Sequence, residues 1–374
     1  MAKRILITST DAMMKQFLEP HVINLHEHGY EVEIACSEVL NRFQEVQEDL
    51  GKLIPIHHLS LQRSPLAFAA HRKGYHELKD IIRAGHFDLI WTNEPVMSVV
   101  TRLAAKDARK AGAKVLYMVH GYHFFRGAPA LNWMLYYPIE KLMAPKADVI
   151  CTINREDYAR AQTMPVKEVE YIHGVGINTA RLHKTGQTDI RKELGLPENA
   201  FLVLSVGELN KNKNQQVILR AIAELNDPDI HYLLCGKGDQ REALEKLASD
   251  LGLSERTHFL GYRMDVVDIC SQADLFAMPS KREGLPVASL EAMYSGLPLV
   301  NSSIRGLADV TENGKTGFVT SYNDVHGFAE GIRKLKEDPE ARRRIKAYNP
   351  ESIRPYYLEN TKVEVLSLIQ KITG

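Results

Sequence analysis

The chain has 374 residues, enough for about two domains at the usual ~100–200 residues each. Hydrophobic residues make up 44% and charged residues 25%, a globular mix that excludes a disordered or fibrous chain. Lys plus Arg and Asp plus Glu each total 47, so no overall field gathers nucleic acid, and any pull toward an anionic surface has to be local.

The first apolar stretch, in MAKRILITST, is too short for a secretory signal, and no window offers the ~20 apolar residues of a membrane-spanning helix. The expected location is cytoplasmic, with room for a peripheral place on a membrane. Near-continuous apolar runs follow at Arg4–Ile7, Glu31–Cys36, Asp88–Thr92, Lys114–Val119 and Asp148–Ile153. Runs apolar on both faces suit parallel strands covered by helices on both sides. Between the first two lies a helical stretch, Gln16–His28, closed by Gly29. The rhythm breaks between Tyr171 and Asn199, which reads as an interdomain linker. A second set of strands is expected at Phe201–Val206, His231–Cys235, His258–Leu260, Asp274–Met278 and Leu297–Val300. Helices are expected at Gln215–Leu225 and at Gln240–Leu251, the latter closed by Gly252. The last helical stretch, Pro350–Ile372, has no strand after it and is expected to pack back on the first half. Such alternation predicts two doubly wound α/β domains, residues 1–176 with 350–374, and residues 177–349. The four cysteines are far apart in or beside apolar runs and read as reduced core residues.

The most informative segment is SKREGLPVASLEAMYSGLPLV. Glu283 and Glu291 stand eight residues apart, around Gly284-Leu285-Pro286 and the start of a helix. A helix opening near Pro286 would aim unpaired N–H groups outward from Gly284 to Val287, a seat for a diphosphate. Glu283 would lie beyond the carboxyl end of a strand, where open α/β sheets bind ligands. Glu291 would stand one and a half turns into the helix, placed to accept ribose hydroxyls. The plain alternative is two surface glutamates around an ordinary loop.

Glu283-Gly284-Leu285-Pro286, Glu291-Ala292-Met293 and Gly296-Leu297-Pro298 resemble the signature of the retaining family-4 glycosyltransferases of the GT-B fold. The resemblance implies two Rossmann-like domains facing each other across a cleft; no cofactor is expected, and no metal, because no acidic or His cluster offers ligands for one. It gives Glu283 the transferred sugar and Glu291 the ribose. SVGELNKNKN then corresponds to the diphosphate-binding turn, with Gly207 and Lys213 in place. Glu208 stands where the family has Arg, and is expected to turn away or to pair with Lys211. The loops carrying Gly236, Tyr262 and Arg263 would flank the base, and Gly306 keeps part of a Gly-Gly turn that has Arg305 in the other place. In the first half, His120 resembles the strand-end histidine that lies against the donor sugar. His123 and Arg126 follow it, and Ser9 and Thr10 occupy the family's acceptor-side turn without its glycines. The run HGYHFFRGAPALNWMLYYPIEKL further resembles enzymes that assemble capsular and exopolysaccharide units on a lipid carrier.

The implied activity is a hexosyl transfer from a nucleotide-sugar, such as a UDP-sugar, to a saccharide acceptor on a lipid carrier. Two other readings remain open: a UDP-sugar 2-epimerase of the same architecture, and a non-catalytic nucleotide-sugar-binding partner, which Glu208 keeps alive. Asp227-Pro228-Asp229 matches a metal-binding Asp-x-Asp pattern formally, but it sits in a polar turn rich in turn formers. A membrane-facing surface is also expected. Arg63, Arg72, Lys73, Lys79 and Arg83 stand against Glu77 and Asp80 with Leu66, Phe68 and Tyr75 interleaved, and Phe124, Phe125, Trp133, Leu135, Tyr136 and Tyr137 gather nearby. The plain alternative is a solvated helix beside core aromatics.

Overall fold

The computed structural model describes residues 2–10, 15–38, 43–62, 64 and 66–374. The chain forms two compact units, Met1–Gly176 with Leu358–Gly374, and Ile177–Tyr357.

In the first unit the chain runs β1 (Arg4–Ser9), α1 (Lys15–Glu27), β2 (Glu31–Ser37), α2 (Phe43–Asp49), β3 (Ile56–Leu59), α3 (Phe68–Gly85) and β4 (Leu89–Asn93). It continues through α4 (Pro95–Ala104), α5 (Lys106–Lys110), β5 (Lys114–Val119), α6 (Ala130–Met143), β6 (Val149–Thr152), α7 (Arg155–Ala161) and β7 (Glu168–Tyr171). The strands are parallel in the order β3-β2-β1-β4-β5-β6-β7.

The second unit holds α8 (Ile190–Glu193), β8 (Phe201–Val206), α9 (Gln216–Leu225), β9 (Ile230–Cys235), α10 (Arg241–Asp250), β10 (Thr257–Gly261) and α11 (Val266–Gln272). Then come β11 (Leu275–Met278), α12 (Val287–Tyr294), β12 (Leu299–Ser302), α13 (Leu307–Val310), β13 (Gly317–Thr320), α14 (Val325–Glu337) and α15 (Pro339–Ser352). Its parallel order is β10-β9-β8-β11-β12-β13. Each sheet therefore starts in its middle, grows outward on one side, and restarts beside its first strand. That restart is the topological switch point, where two successive connections leave in opposite directions and open a crevice beyond the strands' carboxyl ends.

Burial explains why the strands read as unbroken apolar runs. Phe201 and Val203 of β8 enter one core, while Leu202 and Leu204 enter another on the opposite face. The same alternation holds in β9, where Tyr232 and Leu234 oppose Leu233 and Cys235. Helix ends follow the sequence signals. Gly29 and Gly252 take left-handed φ of 83° and 69° just past α1 and α10. All four cysteines are buried free thiols, and burial pushes Cys235 up to about 12.

Two expectations need correction. Residues 177–199 are not a loose linker. Ile177 and Ile190 are buried in the second unit's core, and Asp268 accepts from the Thr185 and Gly186 N–H groups at 2.8 and 3.1 Å. The terminal stretch is not one helix either. Residues 350–357 stay with the second unit, with Tyr356 O accepting from Ile177 N–H at 2.8 Å. The chain returns only with α16 (Leu358–Thr373), which packs on α1. Its Glu364 binds both the N–H and the Nδ1 of His173, at 2.9 and 2.6 Å.

Candidate active site

In the second unit, β8 and β11 are the switch-point neighbours, and the loops leaving them carry the motif residues. The loop after β8 is organised by its asparagines. Asn210 Oδ1 accepts from the N–H groups of Asn212 and Lys213 at 3.0 and 2.9 Å. Asn214 takes a left-handed φ of 60°, and its Nδ2 donates to Pro279 O and Tyr322 O at 3.1 and 2.8 Å. Asn212 Nδ2 donates to Arg282 O at 3.0 Å, and Lys281 N–H donates back to Asn212 O at 2.8 Å. These bonds stitch the post-β8 loop to the post-β11 loop.

The stitching brings Lys213 Nζ to 2.7 Å from Glu283 Oε1, both side chains being largely shielded from solvent. An ammonium has three donors, so two remain for another anion. From behind, the buried Arg305 donates through Nε to Glu283 O at 3.2 Å. Gly306 lies so close that a Cβ there would meet Gly284 O at 2.3 Å, and its φ is 76°. Gly236 is equally constrained, since a Cβ would strike Gly207 O at 1.9 Å. Gly207 itself donates its N–H to Cys235 O at 2.9 Å and lies beside the Lys213 stem.

Helix α12 opens directly after Pro286, as the motif predicts, but the amide seat is narrower than expected. Pro286 has no N–H, and Val287 N–H is spent on Leu285 O at 3.0 Å. Gly284 and Leu285 are left to supply amides. Glu291 stands half-buried on α12 with no hydrogen bond to its side chain among the described residues, and burial raises its carboxyl above the ordinary range. Glu208 is exposed and accepts from Asn210 Nδ2 at 2.9 Å rather than pairing with Lys211.

Two base-side candidates divide. Tyr262 is exposed. Arg263 is fully engaged elsewhere, with Nη1 on Glu193 at 2.7 Å and Nε on Asp265 at 2.8 Å. Those carboxylates raise its already high value, so Arg263 clasps α8 to the post-β10 loop and does not offer its guanidinium to a ligand.

In the first unit, β1 and β4 are the switch-point pair, with β5 next. His120 follows β5, and its Nε2 lies 2.9 Å from Asn93 Oδ1. Asn93 Nδ2 donates to Thr8 O at 3.2 Å, which leaves Oδ1 as the acceptor for His120. His120 is thus the Nε2–H tautomer, and burial holds its value down to about 4. Glu94, the next residue, takes a left-handed φ of 63°, and its Oε2 accepts from Thr10 N–H at 2.5 Å. Asn93 and Glu94 were missed by sequence reasoning. The signal was there in Asn93-Glu94-Pro95, polar residues at a strand end just before a helix-opening proline.

Ser9 and Thr10 are buried, and Thr10 O accepts from Ser37, so these residues brace β1 against its neighbours. The bonds of Thr10 to Ser37 and Glu94 use its backbone and not its hydroxyl, and the rest of that loop, residues 11–14, lies outside the described residues. His123 stacks on Tyr136 at 4.6 Å, which makes it part of the packing of α6. Arg126 is exposed, and its N–H donates to Glu156 Oε1 at 2.6 Å.

Two family models match consecutive halves of the chain, Glycosyltransferase Family 4 over residues 21–181 and Glycosyl transferases group 1 over residues 186–352. The chain belongs to the family-4 glycosyltransferases and has their two-domain GT-B fold. It is 34% identical over 353 residues to EpsD of Bacillus subtilis (strain 168), covering 92% of this chain and 90% of that protein. The Escherichia coli UDP-Gal:alpha-D-GlcNAc-diphosphoundecaprenol alpha-1,3-galactosyltransferase is 27% identical over 276 residues, covering 70% of this chain and 69% of that one. Among solved structures, Anabaena Alr3699/HepE in complex with UDP superposes with a TM-score of 0.80 at 19% identity, covering 99% of this chain and all of that one.

Proposed function

We propose that this glycosyltransferase moves a hexosyl group from a UDP-sugar to a saccharide on a lipid carrier, with retention of anomeric configuration and without a metal. The observation that carries the reading is the meeting of Lys213 and Glu283 at the β8–β11 switch point, with Glu291 beyond it on α12. The two unused donors of Lys213 and the Gly284 and Leu285 amides would meet the charge developing on the departing diphosphate. Glu283, fixed from behind by Arg305, would face the transferred sugar, and Glu291 would accept the ribose hydroxyls. The acceptor would attack from the face the diphosphate leaves, and a diphosphate oxygen would take its proton. His120, kept neutral, would present Nδ1 as a lone-pair acceptor to a sugar hydroxyl. The lipid-linked acceptor is supported by the printed substrate of the Escherichia coli relative, and UDP by the Anabaena complex. We place the enzyme peripherally on the cytoplasmic side of a membrane, in cell-surface polysaccharide assembly. No helix among the described residues is long and apolar enough to cross a membrane, and no group of three metal-ligating side chains occurs there.

The test is to incubate the protein with UDP-sugars, a polyprenyl-diphosphate-linked saccharide and EDTA, reading products by mass spectrometry. The reading requires a lipid-linked product one hexose longer, with unchanged yield in EDTA. Conversion of the UDP-sugar to its 2-epimer without acceptor would assign an epimerase instead. Glu208 in the usual Arg place favours a second reading, a non-catalytic partner. That reading requires UDP binding with no transfer to any acceptor.

A further inference from the structure

Helix α6 is apolar on two faces, and only one of them is covered. Trp133, Tyr136 and Tyr137 pack against the first unit's core, with Phe124 buried beneath them at 1% exposure. The opposite face carries Leu131, Met134, Leu135, Ile139 and Leu142, exposed by 47% or more. Their spacing puts them on one stripe running the length of the helix. Scattered exposed leucines need no explanation, but a contiguous apolar stripe does.

Cations outnumber acids around the stripe, where Asp107 of α5 is an exposed carboxylate and Glu156 beside Arg126 a partly exposed one. The single acid of α6, Glu140, turns inward, where it accepts from Arg102 Nη2 at 2.8 Å and from the Tyr117 hydroxyl at 3.0 Å. At the far end of the helix, Lys106, Lys110, Lys114 and Lys146 line a cavity of about 440 Å³. None of them forms an ion pair among the described residues, and the cavity's one carboxylate, Asp148, is taken by Arg109 at 3.0 Å. Lys146 donates to Leu142 O at 3.4 Å, which joins the lysine cavity to the end of the stripe. Lys141 and Arg126 add exposed cations beside and before the helix.

We infer that the α6 stripe and the adjoining lysine cavity are a docking surface for an anionic phospholipid membrane, with the leucines entering the acyl boundary and the lysines holding headgroup phosphates. A helix of 14 residues is too short to span a bilayer, but it can lie in the interface. A second copy of the chain fits poorly, because a two-fold contact over this stripe faces unpaired cations with cations at either end. The α3 part of the surface expected from the sequence exposes Leu66 and Phe68, but its cations are less available. Three of its cations are neutralised, Lys73 by Glu77, Arg83 by Asp80 and Lys79 by Asp107, and Arg63 lies outside the described residues. This inference refines the peripheral placement proposed above and is tested without donor or acceptor, so either reading can fail alone.

The experiment is flotation of the full chain with vesicles of phosphatidylcholine, alone or mixed with phosphatidylglycerol, at low and high salt. The wild type is expected to float only with the anionic vesicles and to be released by salt. K106E/K110E should lower partitioning at least about thirtyfold, since each lost lysine is worth ~1 kcal/mol, about fivefold, and the new glutamates are repelled as well. L135D/L142D should abolish flotation, while R72E/K73E floats like the wild type. These exposed substitutions should leave the circular-dichroism melt unchanged. Failure of the wild type to float at low salt overturns the inference, as does wild-type flotation by both α6-side variants. It is also overturned if sedimentation shows a dimer that L135D/L142D dissolves while that variant still floats.

Discussion

Lys213 Nζ and Glu283 Oε1 stand 2.7 Å apart although 70 residues separate them in the chain. The ion pair couples the residue expected at the diphosphate to the one expected at the transferred sugar. Lys213→Ala should weaken UDP binding by about tenfold to a hundredfold, the worth of a charge-assisted hydrogen bond. Uridine has no diphosphate, so its affinity should change little. Calorimetric titration with both ligands decides the matter, and equal losses would mean that Lys213 acts through folding alone.

Glu283→Gln separates the two partners differently. The carboxamide keeps the shape but releases Lys213 from its counter-charge, so UDP affinity should hold or rise slightly. Turnover should fall by about a hundredfold or more, the usual cost of removing a preorganised electrostatic contact at the reacting centre. A binding defect with normal turnover would move Glu283 away from the sugar.

Glu291→Ala should weaken UDP and uridine alike, by ~1–3 kcal/mol, because the ribose is common to both. The side chain is half-buried with no protein partner among the described residues, so its loss leaves no orphaned donor and stability should change little. Unchanged nucleotide affinity in the same titration would remove Glu291 from the site.

What could be read from the sequence was what short-range chemistry determines. Of the thirteen strands among the described residues ten were legible, nine of them interior strands whose two buried faces force apolar runs and the tenth the edge strand β10. The three missed strands, β3, β7 and β13, are all edge strands, with mixed patterns such as Ile56-His57-His58-Leu59. The opening of α12 at Pro286 was legible for the same local reason. The partners were not. Arg305 behind Glu283, Asn93 on His120 and the clasp that consumes Arg263 all join residues distant in sequence or spoken for by neighbours. The expected membrane-facing set mixed the two faces of α6, joining the exposed Leu135 to aromatics that pack inward. Trp133, Tyr136, Tyr137 and Glu140 share the inward side at helical spacing, which leaves the aliphatic residues outside.

The pH dependence of the first unit follows from two histidines held at about 4 by burial, His21 and His120. The unfolded chain takes up each proton near the ordinary 6.5, whereas the folded unit resists until about 4. Above pH 6.5 both states are neutral and these groups contribute nothing. As pH falls below 6.5 the unfolded state is increasingly favoured, by ~2 kcal/mol per histidine at pH 5. Carboxylates held low, such as Asp148, act only further down and leave this window to the histidines. Both tryptophans, Trp91 and Trp133, lie in this unit, so their fluorescence in urea reports its unfolding at pH 7 and pH 5. The wild type should lose stability over that interval, and His120→Gln should lose about 2 kcal/mol less. The same neutrality bears on activity. His120→Ala should leave UDP binding intact and abolish transfer, while wild-type transfer should show no limb near pH 6.5 from this residue. Equal pH sensitivity of wild type and His120→Gln would mean that His120 charges freely in the fold. Wild-type transfer rates in His120→Ala would take it out of the reaction.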